Sequence, residues 1–553
     1  MKKIILFLIV LSNSCLLFAQ PIYNKDGIRL YHHLSAEEAA LYKSVQMQQT
    51  ATAAPVGQIR PIAEYEPAEA VLVRYPFGIP MALIKELAKD IKVITIVANT
   101  SQKNTVLSQY NSNGVNTANC DFLIASTDTY WTRDYGPYFL AINNSQVAMY
   151  DFTYNRPRPN DNLVNSYLAT YLSMDRYSST IQQTGGNYMN DGTNQAASTD
   201  LVLEENSTYT QQQLETHFQQ YLGIENYHFT ADPLSDYIKH IDCWGKYLSP
   251  TKVMIGKVAK TDSRYQQFEN IANYFASLTT AYGTPYQVYR VYTPGAVGSG
   301  PATPYTNSLI LNKKVFVAIT GNSNDAAALQ SYRDAMPGYQ VIGISYSDWI
   351  DTDALHCRTH EIADRCMLYV KHQPYFGEIE NTGNLTFNAQ VYSYCNNTIY
   401  PDSVIIYLKT NNSSEFTPYN MTYAGNNEWT TTISGLPSET IEYYVFAADE
   451  SGRRENKPYI GAADPYKFTL IGTQSSSEKV NFLPINIYPN PAFNYINIEN
   501  NTNSTQAEIY NIFGQQIKEI SISNGINSIN IKELPVGIYF IEVNDNTFKF
   551  IKQ

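Results

Sequence analysis

The stretch that decides the fold is AVLVRYPFGIPMALIKELAKDIKVITIVAN, residues 70–99. Its first part, AVLVRYP, is a run of apolar residues that predicts a buried strand. The middle part, MALIKELAKD, has the apolar spacing of an amphipathic helix, and KVITIVAN predicts a second buried strand. A strand, a helix and a strand in this order are typical of an α/β sheet.

The same alternation continues along the chain for almost three hundred residues. Further helices are predicted by TVLSQYNSNGV, FENIANYFASLTTAYG and AAALQSYRDAMPG, and further strands by CDFLIAS, VMIGKVA, YQVYRVY, SLILNKKVFVAIT and QVIGISY. Apolar runs of this length between turn residues are typical of buried strands. We therefore predict an α/β domain over residues 57–374.

The N-terminal residues predict export. The opening MKKIILFLIVLSNSCLLFAQ has a basic pair, an apolar run and a small residue at Ala19, so residues 1–19 are predicted to be a secretory signal peptide. Residues 20–56 are polar and rich in Gln, Ala and Thr, which indicates a pro-segment or a loosely held arm. Later apolar segments are too short to cross a bilayer.

The C-terminal third contains strand patterns without helices. NLTFNAQVYSY, SVIIYLKT, NEWTTTISGL and TIEYYVFAADESGR predict a small β-sandwich over residues 375–470. A polar linker, residues 471–483, then leads to a second small all-β unit over residues 484–553.

Charge and cysteine content narrow the classes of function. The net charge of −12 argues against a nucleic-acid partner, because phosphate binding needs clustered Lys and Arg. Without the signal peptide the chain has an odd set of cysteines, so at least one thiol should remain free and a disulfide framework is not predicted. These cysteines are Cys120, Cys243, Cys357, Cys366 and Cys395. They contain no CxxC pair, which disfavours a structural zinc site.

The stretch YIKHIDCWGK, residues 237–246, combines an imidazole with a carboxylate. If it is a strand, His240 and Asp242 point to the same face. A His beside a carboxylate can stay protonated near neutral pH and act first as an acid and then as a base. A paired His in the protein interior is the alternative.

Two further motifs predict a site for a charged ligand. In WTRDYGP, Asp134 and Trp131 suit a planar cation, through charge pairing and face stacking, although Asp134 could instead pair with Arg133. In RPRP, the prolines favour extended geometry at Arg156 and Arg158. Two guanidinium groups on one side of the chain would clamp a carboxylate, whereas two solvated surface residues are the alternative.

The stretch DALHCRTHEIADRC, residues 353–366, has three interpretations. His356, His360 and Asp364 have the i, i+4, i+8 spacing of a metal site, but the second His of an HExxH motif is missing. An inert core thiol would prefer apolar neighbours. A thiol flanked by cationic groups has a lowered pKa and becomes nucleophilic, so the motif alone slightly favours Cys357 as a nucleophile.

The motifs taken together, in their order along the chain, are more specific than any one of them. WTRDYGP, the glycine-rich TGGNYMNDG, HID, YTNSLILN and DALHCRTHE follow one another over about 240 residues. Together they resemble the Porphyromonas-type peptidylarginine deiminase family of the guanidino-group-modifying (pentein) superfamily. The resemblance extends to an immunoglobulin-like domain after the catalytic domain. In the tail, YPNP, YNIFG and GIY resemble the C-terminal sorting domain of type IX secretion substrates.

The resemblance implies a five-bladed α/β propeller with the site at its axis. It implies Cys357 as the nucleophile, His240 as the acid and base, and Asp134 and Asp242 as the carboxylates that hold the guanidinium. The remaining implied site residues are Asn307 beside the thiol, Trp131 and Tyr237 in the pocket, and Arg156 and Arg158 on the terminal carboxylate of the substrate. The implied reaction converts peptidyl-arginine, preferably C-terminal, to citrulline and ammonia without a metal or organic cofactor.

The family also contains alternatives to that activity. Agmatine or free-arginine deimination is the nearest one, and the Arg156/Arg158 pair argues against agmatine, which has no carboxylate. An adhesin on an inactive deiminase scaffold is disfavoured by the intact Cys, His and Asp residues. The sorting tail implies a partner in the type IX secretion machinery, and a protein that is secreted or attached to the cell surface.

Overall fold

The structure is a computed structural model that describes most of the chain. The described residues are 22–23, 27–42, 49–234, 238–295, 301–472, 485–500, 505–543 and 546–553. The predicted signal peptide, most of the predicted linker and Tyr237 lie outside them. The contacts define two compact units, one that ends at Gly472 and one from Thr473 to Gln553. Among the described residues, no helix is both long and apolar enough to span a membrane.

Five separate sheets build the α/β part of the first unit, counted over the described residues. Each sheet contains an antiparallel strand pair and at least one parallel neighbour. Sheet by sheet, the strands are His360–Ala363, Ala68–Arg74, Lys92–Val97 and Cys120–Ile124; Ile59–Pro61, Tyr138–Ile142, Gln146–Tyr154 and Arg176–Gln183; Met189–Asn190, Gln195–Thr199 and Asn226–Thr230; Gly245–Ser249, Lys252–Lys257 and Gln287–Tyr292; and Leu309–Leu311, Lys314–Ile319 and Gln340–Ser345.

Helices connect the parallel strands of every sheet, as a parallel connection requires. They are Met81–Leu87, Thr100–Ser112, Pro159–Leu172, Leu201–Glu205, Gln211–Leu222, Tyr265–Ser277 and Asp325–Ala335. Each buries an apolar face; in the first of them this face is formed by Leu83, Ile84 and Leu87. The predicted α/β class is confirmed.

The last strand of the α/β part returns to the first sheet. His360–Ala363 pairs antiparallel with Ala68–Arg74, and His360 lies opposite Leu72. This pairing brings the segment around Cys357 back to the start of the α/β part. The Cys357 segment is therefore a turn followed by the strand His360–Ala363, so the i, i+4, i+8 spacing does not place His356, His360 and Asp364 on one face of a helix.

The region from Leu368 to Gly472 consists of two sheets with a shared apolar core and one short 3₁₀ helix, Gly461–Ala463. One contains Leu368–His372, Asn384–Ser393, Thr422–Gly425 and Glu428–Ser434, and the other contains Gly377–Asn381, Ile405–Thr410, Thr417–Asn420, Thr440–Ala448, Arg454–Lys457 and Tyr466–Gly472. Phe387 and Val391 of the first sheet pack with Ile406, Tyr443 and Phe468 of the second. The prediction of a C-terminal all-β region is confirmed.

One disulfide joins the end of the α/β part to this β region. It links Cys366 with Cys395, whereas the other described cysteines, Cys120, Cys243 and Cys357, form no disulfide. Cysteines outside a disulfide agree with the odd cysteine count.

The second unit is a small all-β body with its own core. Its strands are Asn486–Tyr488, Tyr495–Asn500, Gln506–Asn511, Gln516–Ser521, Gly525–Asn530, Gly537–Val543 and Asn546–Lys552. Ile496, Ile498, Ile509, Ile541 and Phe550 are buried together in it.

Candidate active site

The candidate site is built from five segments, one from each sheet. In every case the site residue lies two to four positions before a strand that pairs antiparallel with its neighbour. These residues are Asp134, Gly186, Asp242, Asn307 and Cys357. Loops at the ends of rigid strands can differ in sequence without disturbing the sheets, so each of them can supply one functional group.

The Cys357 thiol is buried and held by Asn307. The Nδ2 of Asn307 donates to Sγ at 3.0 Å, while its Oδ1 accepts from the backbone N–H of His356 at 2.9 Å and of Cys357 at 3.3 Å. The Asp242 Oδ2 atom lies 3.7 Å from Sγ. The amide thus fixes both the turn and the sulfur atom.

The expected cationic surroundings of the thiol are wrong. The Arg358 side chain turns away to bind Asp353 at 2.8 Å and the Gly78 carbonyl at 2.6 Å. His356 binds carboxylates instead of the thiol. Burial, followed by the negative charges of Asp242, Asp353 and Asp134, raises the pKa of the Cys357 thiol well above its usual value. The thiol is therefore protonated in the protein without substrate.

Asp242 is the first member of a buried series of titratable side chains that are joined by hydrogen bonds. His356 lies between two carboxylates, 2.7 Å from Asp242 through Nδ1 and 2.9 Å from Glu64 through Nε2. The Lys246 ammonium donates to Glu64 at 2.7 Å. Burial alone would raise the pKa of Asp242, but the hydrogen bond and charge of His356 lower it. Asp242 is thus an anion that His356 holds in place beside the thiol.

His240 lies in extended backbone directly before the 3₁₀ turn Ile241–Cys243, so the condition of a strand through His240 and Asp242 is not met. Its Nδ1 is 3.7 Å from Asp134 Oδ1, and neither ring nitrogen has a hydrogen-bond partner in the described part of the chain. Burial lowers the pKa of His240 to about 4, although Asp134 opposes the shift. The expected imidazolium is therefore wrong for this state, in which His240 is a neutral base.

Asp134 lies in the short helix Thr132–Tyr135 and not in an open loop. Burial would raise its pKa, but His32 and His240 lower it to about 2. Arg133 is not its partner; that guanidinium forms a buried ion pair with Glu361. The Oδ1 of Asp134 has no hydrogen bond among the described residues and, like the unprotonated ring nitrogen of neutral His240, can accept a hydrogen bond from a ligand.

Gly186 leaves the space between these groups. A Cβ atom at this position would lie 2.6 Å from His240 Nδ1, 2.8 Å from Asp134 Oδ1 and 3.3 Å from Asp242 Oδ2. The first two contacts are closer than real Cβ atoms come to other atoms, and the third is tighter than most of them. The glycine-rich motif thus permits a close approach to the site.

We predict that Gly186→Ala lowers kcat/KM of the reaction at this site by about a hundredfold, because a displacement of about 1 Å in a site can have that effect. Gly283→Ala is the matched control, since nothing lies within 4 Å of a Cβ there, although its φ of 80° adds backbone strain. Steady-state kinetics of both variants and of the unmutated chain provide the measurement. Equal losses in the two variants would contradict a specific steric role for Gly186.

Arg156 and Arg158 are buried and are not solvated surface residues. Arg158 Nε donates to Glu38 Oε1 at 2.9 Å, and its Cζ lies 5.0 Å above the ring of Trp131. Arg156 Nη1 lies 3.9 Å from Glu205. Both guanidinium groups are thus beside the pocket, but they are bound to different carboxylates.

The residues of the metal interpretation have separate partners. His356 binds Asp242 and Glu64, His360 Nε2 binds the Pro137 carbonyl at 2.9 Å, and Asp364 pairs with Arg453 at 2.8 Å. Among the described residues, the groups close enough to share an ion are His32, Asp134 and His240, and His32, Asp353 and Cys357.

Two site residues that the sequence did not reveal are His32 and Glu38. His32 Nε2 lies 2.7 Å from Asp134 Oδ2, and Glu38 binds Arg158. Their stretch, YHHLSAEEA, contains a Ser-x-x-Glu pattern that signals a helix start but gives no sign of contact with a site. Glu64 and Lys246 were also missed, since residues so far apart in sequence show no spacing pattern.

The fold and the comparisons with known proteins define a guanidino-group-modifying deiminase. A family model for Porphyromonas-type peptidyl-arginine deiminase matches residues 60–362, more than half of the 553 residues. The chain belongs to this family. The model for the secretion system C-terminal sorting domain matches residues 486–553, which indicates export through the type IX secretion system.

Relatives and solved structures of the same superfamily carry agmatine deiminase names. The agmatine deiminase of Medicago truncatula is 24% identical over 287 residues, which are 43% of this chain and 76% of that protein. A Legionella pneumophila protein assigned as an agmatine deiminase is 27% identical over 263 residues, 44% of this chain and 75% of its own. The Enterococcus faecalis agmatine deiminase structure superposes with a TM-score of 0.50 at 20% identity, covering 57% of this chain and all of that one.

Proposed function

We propose that this deiminase hydrolyses the guanidinium of peptidyl-arginine to citrulline and ammonia, with a preference for arginine at a C-terminus. The observation that carries the substrate class is Arg158, a fully buried guanidinium beside the pocket that already binds a carboxylate. A buried cation with a carboxylate partner costs less free energy than an unpaired one, so an acidic ligand group suits this position. The α-carboxylate of a terminal arginine supplies such a group.

In the first half of the reaction, Asp134 and Asp242 hold the guanidinium against Sγ of Cys357. The positive charge of the substrate offsets the carboxylates that raise the thiol pKa, so the thiol proton passes to neutral His240. The sulfur bonds to the guanidinium carbon and forms a neutral tetrahedral adduct. The His240 imidazolium then protonates one amino group, the C–N bond breaks, ammonia leaves, and a cationic thiouronium remains.

In the second half, His240 takes a proton from water, and the hydroxyl oxygen bonds to the same carbon. The C–S bond breaks, the carbonyl of citrulline forms, and Cys357 regains a proton. The proton that remains on His240 passes to ammonia and gives ammonium. The positive charge of the substrate guanidinium thus leaves as ammonium, and the urea group of citrulline is neutral. This route uses no metal or organic cofactor. Asn307 positions the sulfur, and Trp131 and Tyr237 are proposed to line the pocket.

We also propose the finer architecture that the family resemblance implies. The five sheets are the blades of an α/β propeller over residues 57–374, with the five segments of the site at its axis. The two-sheet region over residues 375–470 is an immunoglobulin-like domain. Residues 1–19, 20–56, 471–483 and 484–553 are the signal peptide, pro-segment, linker and sorting domain, and the mature protein is secreted or attached to the cell surface.

Agmatine deimination is the second candidate, because relatives that match the chain bear that name. Agmatine has a guanidinium but no carboxylate, so it would leave Arg158 without an anionic ligand group. Citrulline or carbamoyl product formed from three compounds discriminates the two candidates: a peptide ending in arginine, a peptide with internal arginine, and agmatine. Agmatine as the best substrate would overturn the proposal.

We predict that a peptide ending in arginine has a kcat/KM about tenfold to a hundredfold above that of its C-terminal amide. The loss of one buried charge-assisted hydrogen bond costs about 1.5–3 kcal/mol, and about 1.4 kcal/mol corresponds to a factor of ten. The ratio of the two kcat/KM values is the measured quantity, since it does not depend on the fraction of active molecules.

Variants show whether the two arginines cause this preference. Arg158→Ala and Arg156→Ala should each reduce the acid-to-amide ratio, whereas Arg333→Ala on the exposed surface should leave it unchanged. Equal values for acid and amide in the unmutated enzyme would assign the arginines a structural role and favour an internal arginine or a small guanidine.

A further inference from the structure

The candidate pocket is already occupied by the chain itself. Residues 27–42, which we call the N-terminal strap, run from an extended stretch into the helix Ala36–Tyr42. The strap belongs to the same compact unit as the five sheets. Two of its side chains, His32 and Glu38, contact the pocket.

His32 lies where the proposed function places the substrate guanidinium. Its Nε2 is 2.7 Å from Asp134 Oδ2 and its Nδ1 is 2.8 Å from the Thr352 carbonyl. The ring stacks on Trp131, with centroids 4.9 Å apart, and meets the edge of His240 at 5.4 Å. A nitrogen of His32 lies within 4.8 Å of the Cys357 sulfur. The ring therefore covers the nucleophile, one carboxylate and the base together.

Glu38 lies where the substrate carboxylate is expected. Its two oxygens accept from Nε and Nη2 of Arg158 at 2.9 Å and 3.1 Å, and 2% or less of either side chain is exposed. Arg158 Nη2 also donates to the Tyr31 carbonyl. Ser35 fixes the start of the helix, because its Oγ accepts from the Glu38 N–H at 3.1 Å. The bidentate geometry is the one that guanidinium and carboxylate groups prefer.

The charges match those of a substrate. Burial alone would lower the pKa of His32, but Asp134, Asp353 and Asp242 raise it above its usual value. The ring can thus carry the positive charge that the pocket is built to hold. An imidazole has no amino group that can leave as ammonia, so attack by Cys357 cannot remove it.

We propose that the N-terminal strap is an autoinhibitory substrate mimic, in which His32 replaces the guanidinium and Glu38 the terminal carboxylate of the arginine substrate. This inference rests on the proposed function for the identity of the two subsites. Trp131 joins them, since its ring contacts both His32 and Arg158. The strap and the domain are parts of one chain. Gln49, seven residues after the strap, contacts the domain, because its Nε2 donates to the Asp151 carbonyl at 3.1 Å. This link gives the strap a high effective concentration at the pocket.

The test compares the full chain, with the strap shown to be present by its intact mass, and its His32→Ala/Glu38→Ala double variant. The variant should raise kcat/KM for a peptide ending in arginine by about a hundredfold, the factor expected when a buried ion pair that favours the closed state is lost. Glu37→Ala changes the exposed neighbouring residue of the same type as Glu38. This matched control should stay within about twofold of the unmutated chain.

Alkylation of Cys357 by iodoacetamide, measured on its peptide by mass spectrometry, is a readout that does not require deimination. It should rise by the same factor as kcat/KM in the double variant, while Cys120 labelling stays constant. Increased Cys357 labelling without citrulline from any arginine compound would support the strap and overturn the proposed function. Equal labelling and equal kcat/KM in the double variant and the unmutated chain would overturn the strap proposal.

Further experiments separate the proposed inhibition from a folding defect of the variant and from inhibition by a metal. If the alanine variant is unstable by thermal unfolding, His32→Gln/Glu38→Gln tests the same charges at nearly constant volume. A synthetic peptide of residues 27–42 should inhibit the activated variant competitively, and the same peptide with both alanines should not. Activation of the unmutated chain by a chelator alone would overturn the proposal, because a metal held by His32, Asp134 and His240 would then be the inhibitor.

Discussion

Cys357→Ala should abolish deimination, with a loss of kcat of at least about 10⁴-fold, since removal of a nucleophile in comparable covalent catalysts costs this much or more. The sulfur is the one atom of the proposed site that bonds to the substrate carbon. Without it, water would have to attack a guanidinium whose resonance makes it a poor electrophile. Citrulline released from a peptide ending in arginine is the quantity to measure.

The control for this loss is a second free cysteine. Cys120 is half-buried, and burial raises its thiol pKa to about 11. Cys120→Ala should therefore retain full activity. A thermal unfolding midpoint within a few degrees of the unmutated chain would show that Cys357→Ala is folded. More than about one per cent residual turnover in folded Cys357→Ala would contradict the covalent route.

The α/β region could be predicted from the sequence pattern alone because each of its strands and helices has its own apolar pattern. The strand AVLVR is buried on both faces and reads as a continuous apolar run, as expected of strands with parallel neighbours. The intervening helix has its own apolar stripe of Leu83, Ile84 and Leu87. Such patterns need no knowledge of distant residues.

Predictions about electrostatics were wrong where they relied on neighbours in sequence. His356 and Arg358 flank Cys357 in the chain, yet both side chains bind carboxylates from other elements. The nearest charges in space are the carboxylates that raise the thiol pKa. Which way a side chain points out of a turn depends on the turn geometry, and YIKHIDCWGK shows the same effect, because it contains a 3₁₀ turn and not a strand through His240 and Asp242.

The contact of the N-terminal strap with the site could not be predicted from sequence for a related reason. His32 is 102 positions away from Asp134, and Glu38 is 120 away from Arg158. The polar composition of residues 20–56 indicated a pro-segment, and a pro-segment can lie anywhere on a surface. Only the three-dimensional structure shows that two of its side chains contact Asp134 and Arg158, the residues that we propose bind the two charged groups of the substrate.

His240→Ala should lower kcat by about 10³–10⁴-fold, at the upper end of what a general acid and base contributes, because the same ring serves both halves of the reaction. The two ring nitrogens lack hydrogen-bond partners among the described residues, and burial lowers the pKa to about 4, so the ring is free to accept the thiol proton. The loss should appear in kcat with KM changed less than about threefold, since His240 is not among the groups proposed to bind the guanidinium.

His228→Ala is the matched control for this variant. Burial also lowers the His228 pKa to about 4, but its nitrogens are occupied, at 2.9 Å from the Tyr274 hydroxyl and 2.8 Å from Gln195 Oε1. Because a pKa shift without a free nitrogen at the site cannot transfer protons to the substrate, His228→Ala should keep kcat within about threefold. If His240→Ala retained kcat, or lost it together with alkylation of Cys357, the ring would be a packing element and the proton would need another acceptor. A kcat loss with unchanged Cys357 alkylation assigns the proton transfers to His240.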